Sequence, residues 1–142
     1  MALAPLFLDT GFVIALFNKD DGCHDKAKEL LAHIEQSPVV TTQAILVEIG
    51  DAFVAPHQRE VAWRFIDNLL AGKNANWEVV PVDTPLLTRG VELFKSRKDK
   101  TWGLTDCVSF VVMTDRNIRE AVTCDEHYEQ AGFVRLLVGC RT

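Results

Sequence analysis

Leu6-Phe7-Leu8-Asp9-Thr10, followed by Gly11, is the stretch that decides the fold. Its apolar run ends abruptly at an acid and a turn, which is typical of a short and fully buried strand. In open α/β sheets, ligands bind beyond the carboxyl ends of the strands. The stretch therefore predicts that Asp9 lies at the functional edge of a sheet.

Strand and helix patterns alternate along the rest of the chain. We predict further strands at 38–41, 77–82, 121–123 and 134–138, and helices at 12–17, 25–34, 43–54, 59–70, 85–95 and 104–113. Thr42 and Thr84 are expected to cap the helices that follow them. The helix at 43–54 is expected to be buried, because apolar residues cover most of its circumference. The alternation predicts a three-layer α/β fold with a mainly parallel sheet.

Composition points to one globular domain spanning residues 1–142. Hydrophobic residues make up 48% of the chain and charged residues 25%, with no low-complexity tract, which argues against disorder. The net charge of −5 provides no overall attraction to nucleic acid. A phosphate-bearing partner would therefore need a local basic patch and a bridging cation.

The first seventeen residues are apolar, but Pro5, Asp9 and Gly11 interrupt them and no Lys or Arg precedes them. This pattern argues against a signal peptide and against a membrane span, and we expect a cytoplasmic protein. Four cysteines are scattered along the chain without a Cys-x-x-Cys pair: Cys23, Cys107, Cys124 and Cys140. We expect them to be reduced thiols in a reducing compartment.

Four acidic residues follow or lie within apolar segments, where a carboxylate needs a structural or functional explanation. Asp9 and Asp125 each follow a predicted strand, Asp106 opens an apolar helix, and Glu48 lies among apolar residues, where an unpaired buried carboxylate is costly. Each has an ordinary structural explanation. Asp9 and Asp106 fit helix caps, Asp125 fits a turn, and Glu48 fits a salt bridge or an exposed stripe shared with Asp51.

Taken together, the acids predict a metal site, because the fold can bring them to one edge of the sheet. Clustered carboxylates repel one another unless a cation neutralises them. Hard oxygen ligands suit Mg²⁺ or Mn²⁺, which are usually held by a few carboxylates and the phosphates of a substrate. This chemistry is that of phosphodiester hydrolysis.

The sequence resembles the PIN-domain ribonucleases and, among them, the VapC-type toxins of prokaryotic toxin-antitoxin pairs. The resemblance rests on four motifs in the family's order: Leu-Phe-Leu-Asp-Thr ending at Thr10, Ile-Leu-Val-Glu-Ile around Glu48, Trp-Gly-Leu-Thr-Asp-Cys-Val-Ser-Phe at 102–110, and Thr-Cys-Asp-Glu-His-Tyr-Glu-Gln-Ala-Gly-Phe at 123–133. They span nearly the whole chain, and the two later motifs are the more specific.

The resemblance implies a sheet of five strands in the order 3-2-1-4-5 and an endoribonuclease dependent on Mg²⁺ or Mn²⁺. Its four acids are Asp9, Glu48, Asp106 and Asp125, with Asp9 and Asp106 as principal metal ligands. It also implies supporting hydroxyls at Thr105, Ser109 and Thr123. A homodimer, an RNA substrate such as transfer or ribosomal RNA, and a cognate antitoxin are further implied. Gly103 replaces the family's more frequent serine and puts one hydrogen-bonding contact in question.

Other interpretations remain open at this stage. A haloacid dehalogenase-type phosphatase would need an aspartate where this chain has Gly11, so that alternative is weak. A catalytically silent PIN-fold protein, serving as a protein or nucleic-acid binding module, is the stronger rival. Cys124 and His127 have the spacing of half a zinc site, but a partner pair is missing, so we reject a zinc site. His127 fits a ligand or a proton carrier, but the sequence favours an ordinary surface or packing histidine.

A basic cluster precedes Asp106, and it consists of Lys95, Arg97, Lys98 and Lys100. Arg59 and Arg64 lie on an earlier helix. Charge runs are more often solvated faces than binding sites, so the sequence assigns these residues no firm role. Trp102 fits either base stacking or packing against the core.

Overall fold

The computed structural model describes residues 3–141 and forms one five-stranded sheet. The strands are β1 Leu6–Leu8, β2 Val39–Thr42, β3 Trp77–Val80, β4 Glu120–Val122 and β5 Val134–Arg135. Their order is β3-β2-β1-β4-β5, and every pairing among them is parallel. The predicted α/β fold and strand order are confirmed. Since the strands are parallel, their carboxyl ends share one edge.

Helices connect the strands and complete a three-layer arrangement. They are α1 Thr10–Phe17, α2 His24–Gln36, α3 Gln43–Ala52, α4 Pro56–Leu70, α5 Thr84–Ser96, α6 Leu104–Asp115 and α7 Glu126–Gln130. The short helix α7 was not predicted. Among residues 3–141, no helix combines the length and the apolar character that crossing a membrane requires.

The core is built on β1, whose three side chains are completely buried. Such burial on both faces is characteristic of a central parallel strand and explains its uninterrupted apolar run. On one side, the ring of Phe110 on α6 meets the rings of Trp102 and Tyr128 edge-to-face, each at 5.0 Å between centroids. These contacts join α6, the loop before it and α7, and Tyr128 also packs against Phe7 of β1 at 6.3 Å between ring centroids.

Two expectations about helices are corrected by the structure. Helix α3 buries Ile45, Leu46 and Ile49 but leaves Val47 64% exposed, so the prediction of a buried helix is wrong. The large number of apolar residues suggested burial all round, but the buried side chains lie on one side of the helix. Thr42 caps α3 as predicted, accepting a hydrogen bond from the Ile45 N–H at 3.2 Å.

The cap of α5 is also different from the prediction. Asp83, not Thr84, occupies the N-cap position, and its carboxylate accepts a hydrogen bond from the Leu86 N–H at 3.0 Å. Both residue types cap helices well, and the proline that follows occupies one of the first two helical positions in either case. Helix α5 therefore begins one residue earlier than predicted, because the Asp83 carboxylate accepts the hydrogen bond from a free N–H at the helix start.

The expectation of four reduced thiols is wrong for one pair, because Cys23 and Cys140 form a disulfide across 117 positions of sequence. The C-terminal segment folds back toward the start of α2, where the Arg141 N–H donates to the Gly22 carbonyl at 3.0 Å. Sequence spacing could not reveal this return. Cys107 is a free, buried thiol and Cys124 is a free, exposed one.

Candidate functional site

Asp9 follows β1 directly, and its side chain is almost entirely buried at 7% exposure. Although it occupies the N-cap position of α1, its side chain makes no capping hydrogen bond. Instead, the Thr123 hydroxyl donates to Asp9 Oδ2 at 2.6 Å. Burial raises the pKa of Asp9 to about 6, an effect opposed by the Thr123 hydrogen bond and increased slightly by the charge of Asp106.

Asp106 lies in the first turn of α6, turned back toward the residue before the helix. Its Oδ2 accepts a hydrogen bond from the Gly103 N–H at 3.0 Å and lies 3.2 Å from His127 Nδ1. Burial, followed by the charge of Asp125, raises the pKa of Asp106 against the lowering effects of Gly103 and His127. Gly103 therefore contacts Asp106 through its backbone N–H, and this contact does not require the hydroxyl of the serine expected at this position.

Asp125 caps α7 and lies beside the same imidazole. Its backbone N–H donates to the Thr123 hydroxyl at 3.0 Å, and its Oδ1 accepts from the backbone N–H of His127 at 2.9 Å. The same Oδ1 lies 3.3 Å from His127 Nδ1. Thr123 thus links Asp9 to Asp125, and His127 links Asp125 to Asp106.

Three of these groups form a compact donor set. The ligand atoms of Asp106, Asp125 and His127 all lie within 4.8 Å of one another. Carboxylate oxygens and an imidazole nitrogen are established ligands for divalent metals. Burial raises the pKa of both Asp9 and Asp106, so their negative charges are disfavoured without a cation nearby. The donor chemistry therefore fits a divalent cation.

Glu48 lies apart from this set, on the exposed side of α3. Its Oε1 accepts a hydrogen bond from the Thr10 hydroxyl at 2.7 Å, which holds the carboxylate beside the first residue of α1. The expectation of a buried Glu48 is wrong. Within residues 3–141 it makes no ion pair, which excludes the salt-bridge explanation. Both Glu48 and Asp51 are exposed, as the alternative of an exposed stripe shared with Asp51 predicted.

The three hydroxyl residues have different surroundings. Thr123 is buried between Asp9 and Asp125. The Ser109 hydroxyl donates to the Thr105 carbonyl at 3.0 Å within α6, and no hydrogen bond of the Thr105 hydroxyl is found in the described part of the chain. Of the three, Thr123 alone contacts the acids through hydrogen bonds among the described residues.

Sequence reasoning missed two groups near the acids. Thr101 Oγ1 lies 3.3 Å from His127 Nε2, and the fully buried Tyr128 hydroxyl has no hydrogen-bond partner among residues 3–141. Burial, followed by the charge of Asp9, raises the pKa of Tyr128 well above its ordinary value. His127 was noticed, but its position between two acids was not. The sequence feature that could have indicated this position is that His127 follows Asp125 by two residues.

The basic cluster is partly neutralised by its own sequence. Arg97 forms two hydrogen bonds with Asp99, both at 3.0 Å, and its guanidinium lies 4.8 Å from the centroid of the Trp102 ring. Trp102 is 6% exposed and donates to Gln130, so it packs and is not available for stacking on a base. Lys100 lies 3.8 Å from Asp99.

The family model for the PIN domain matches residues 6–134. Comparison with curated protein sequences gave no significant match. Mycobacterium tuberculosis VapC20, described as a sarcin-ricin loop cleaving toxin, superposes with a TM-score of 0.80 at 27% identity, covering 91% of this chain and 96% of that chain.

Two toxin-antitoxin complexes show the same fold at lower identity. VapBC2 from Rickettsia felis, bound to a promoter DNA fragment, gives a TM-score of 0.61 at 16% identity over 92% of this chain and 96% of that chain. DNA-bound VapBC from Salmonella typhimurium gives 0.58 at 15% identity over 94% and 96%. The resemblance to VapC-type proteins noted from the sequence is confirmed.

Proposed function

Because the chain belongs to the PIN-domain family, we propose that it is a metal-dependent endoribonuclease that hydrolyses phosphodiester bonds in RNA. One observation carries the proposal: buried or half-buried acids from β1, α6 and the turn after β4 meet at the carboxyl edge of the sheet. Their charges are poorly stabilised by the protein, which is the situation that a divalent cation relieves.

Asp9 and Asp106 are the proposed principal ligands of one or two Mg²⁺ or Mn²⁺ ions. When bound, such an ion polarises a phosphate oxygen and activates a water molecule for attack. Asp125 acts as a further ligand, directly or through water. The Thr123 hydroxyl positions both acids, because it donates to the Asp9 carboxylate and accepts from the Asp125 backbone N–H. Thr105 and Ser109 serve as supporting hydroxyls in the start of α6.

Glu48 is the proposed group that orients the attacking water or contacts a second ion. Its exposed carboxylate beside Thr10 is accessible to solvent and anchored on one side. Attack by water on the phosphorus, with departure of the 3′-oxygen, would leave products with 5′-phosphate and 3′-hydroxyl ends.

The likeness to VapC20 makes a sarcin-ricin loop the first RNA to test, beside transfer RNA. The likeness to VapBC complexes supports a cognate antitoxin as a protein partner. A homodimer and a cytoplasmic site of action complete the proposal. All of these depend on the nuclease assignment and can be tested separately.

The test is cleavage of a panel containing total transfer RNA, ribosomal RNA and a sarcin-ricin loop oligonucleotide, with Mg²⁺ or Mn²⁺. Wild type is compared with Asp9→Asn and Asp106→Asn, and with Asp67→Asn as a control on the exposed side of α4. We expect discrete metal-dependent cuts from wild type and the control, and none from the two site variants. Equal inertness of all four folded proteins would support the catalytically silent alternative.

A further inference from the structure

We propose that His127 supplies a nitrogen ligand to the bound cation and thereby makes the site prefer Mn²⁺, and later first-row transition ions, over Mg²⁺. The inference rests on the proposed function, since it concerns the same site. It adds a residue that the four-acid pattern does not contain. The supporting observation is the compact set formed by Asp106, Asp125 and His127.

The imidazole is placed between the two acids. His127 Nδ1 lies 3.2 Å from Asp106 Oδ2 and 3.3 Å from Asp125 Oδ1. A ring nitrogen between two carboxylate oxygens occupies a position where a cation shared with those oxygens would also contact it. The side chain is 27% exposed, so an ion can reach it from solvent.

The second ring nitrogen is held by a residue outside the acidic set. Nε2 lies 3.3 Å from the Thr101 hydroxyl. Metal-bound histidines usually donate their other N–H to an oxygen that fixes the orientation of the ring. Thr101 is therefore a positioning residue, and it keeps Nδ1 directed at Asp106 and Asp125.

A metal ion binds the lone pair of Nδ1, so the coordinating ring is the neutral tautomer with its proton on Nε2, facing the Thr101 oxygen. Any proton carried by Nδ1 leaves to solvent as the ion binds. No oxidant, reductant or further reactant is needed.

A nitrogen ligand changes which ions the site selects. Mg²⁺ prefers an octahedral shell of oxygen atoms and dehydrates reluctantly. First-row transition ions accept imidazole, with affinity rising from Mn²⁺ to Cu²⁺. Mixed ligation by two carboxylates and one imidazole thus favours Mn²⁺ over Mg²⁺, whereas ligation by acids alone would discriminate between them less.

The test measures metal binding directly in the absence of RNA. Affinities for MnCl₂ and MgCl₂ are determined by titration calorimetry for wild type, His127→Ala, Thr101→Val and Asp106→Asn. His33→Ala, an exposed change on α2, is the control. We expect His127→Ala to lose more than about tenfold in Mn²⁺ affinity and Thr101→Val about tenfold. The affinity for Mg²⁺ should hold or rise in His127→Ala.

Pulsed electron paramagnetic resonance of the wild-type Mn²⁺ complex provides an independent readout that needs no variant. A directly bound imidazole gives a nitrogen modulation that changes when histidine is labelled with ¹⁵N. Absence of this modulation, or equal losses of Mn²⁺ and Mg²⁺ affinity in His127→Ala, would overturn the inference while leaving the nuclease proposal intact. Failure of wild type to bind either ion would overturn the metal-dependent function itself.

Discussion

At the scale of single residues, burial raises the pKa of the Asp9 carboxyl from 3.8 to about 6. It is buried beside the charge of Asp106 and is relieved chiefly by one hydroxyl hydrogen bond from Thr123. A buried charge without a cation partner costs free energy. The site is therefore arranged for binding at the expense of the stability of the metal-free protein.

The sign of the resulting pH dependence follows from the raised pKa. The folded protein binds the Asp9 proton more tightly than the unfolded chain does, because the pKa moves from 3.8 to about 6. The stabilisation from this proton is complete below pH 3.8 and is lost as pH rises through 6. A shift of this size corresponds to at most about 3 kcal/mol.

We predict that Asp9→Asn stabilises the metal-free protein at pH 8 by up to about 3 kcal/mol and has little effect at pH 3.5. Asparagine keeps the shape and can still accept from Thr123, but it carries no charge. The free energy of unfolding is measured with urea in the presence of a chelator. Asp67→Asn serves as the exposed control, and a pH-independent difference for Asp9→Asn would contradict the prediction.

At this scale, the sequence predicted which acids meet but not every neighbour that holds them. Asp9 and Asp125 were predictable because a parallel sheet brings strand ends together. The burial state of Glu48 was not, since an apolar count does not reveal which side of α3 faces solvent. The contact of Thr101 with His127 depends on how a loop folds over α7, and no local pattern encodes it.

At the scale of elements, α6 carries Asp106 and its position is set by close packing against α5. Gly90 of α5 is buried there, and a Cβ at this position would lie 2.6 Å from Val108 Cγ2. Such a contact cannot be tolerated without movement, and the β-branched side chain of Val108 has little rotamer freedom in a helix. Gly90 therefore permits the short distance between these helices.

We predict that Gly90→Ala destabilises the protein by about 1–3 kcal/mol, the usual cost of overpacking, despite the better helix propensity of alanine. Val108→Ala alone should also destabilise, because it leaves a cavity. The double variant should be more stable than the two single effects added together. Thermal unfolding of all four proteins completes the cycle, and strict additivity would show that the two residues do not clash.

Helices with a clear apolar periodicity were predictable, whereas the shortest helix and the shortest strand were not predicted correctly. Helix α7 has five residues, fewer than two turns, so its apolar spacing carries little signal. The last strand was predicted at 134–138, whereas the strand covers Val134–Arg135. The next two N–H groups, of Leu136 and Leu137, still bond to carbonyls of Ala121 and Thr123, so the segment follows β4 further than the strand does.

At the scale of the whole molecule, the disulfide ties the C-terminal segment back to the start of α2. It connects Cys23, at the N-cap of α2, with Cys140 near the end of the described chain. The loop that it closes contains most of the domain. A crosslink stabilises mainly by restricting the unfolded chain, and the restriction is greater for longer loops.

We predict that Cys23→Ser with Cys140→Ser lowers the free energy of unfolding by about 2–4 kcal/mol. Cys124→Ser, a change at an exposed free thiol, is the control and should have little effect. Urea unfolding with and without a dithiol reductant measures the loss. Reductant should lower the stability of wild type and of the control but leave the double variant unchanged.

Thiol titration provides the check that needs no variant. The chain has four cysteines, so denatured wild type should show two reactive thiols without reductant and four after reduction. Four thiols at the outset would contradict the crosslink and support the original expectation of a fully reduced protein. Because disulfides persist where the environment is oxidising, the stability of this domain depends on the redox state of its surroundings.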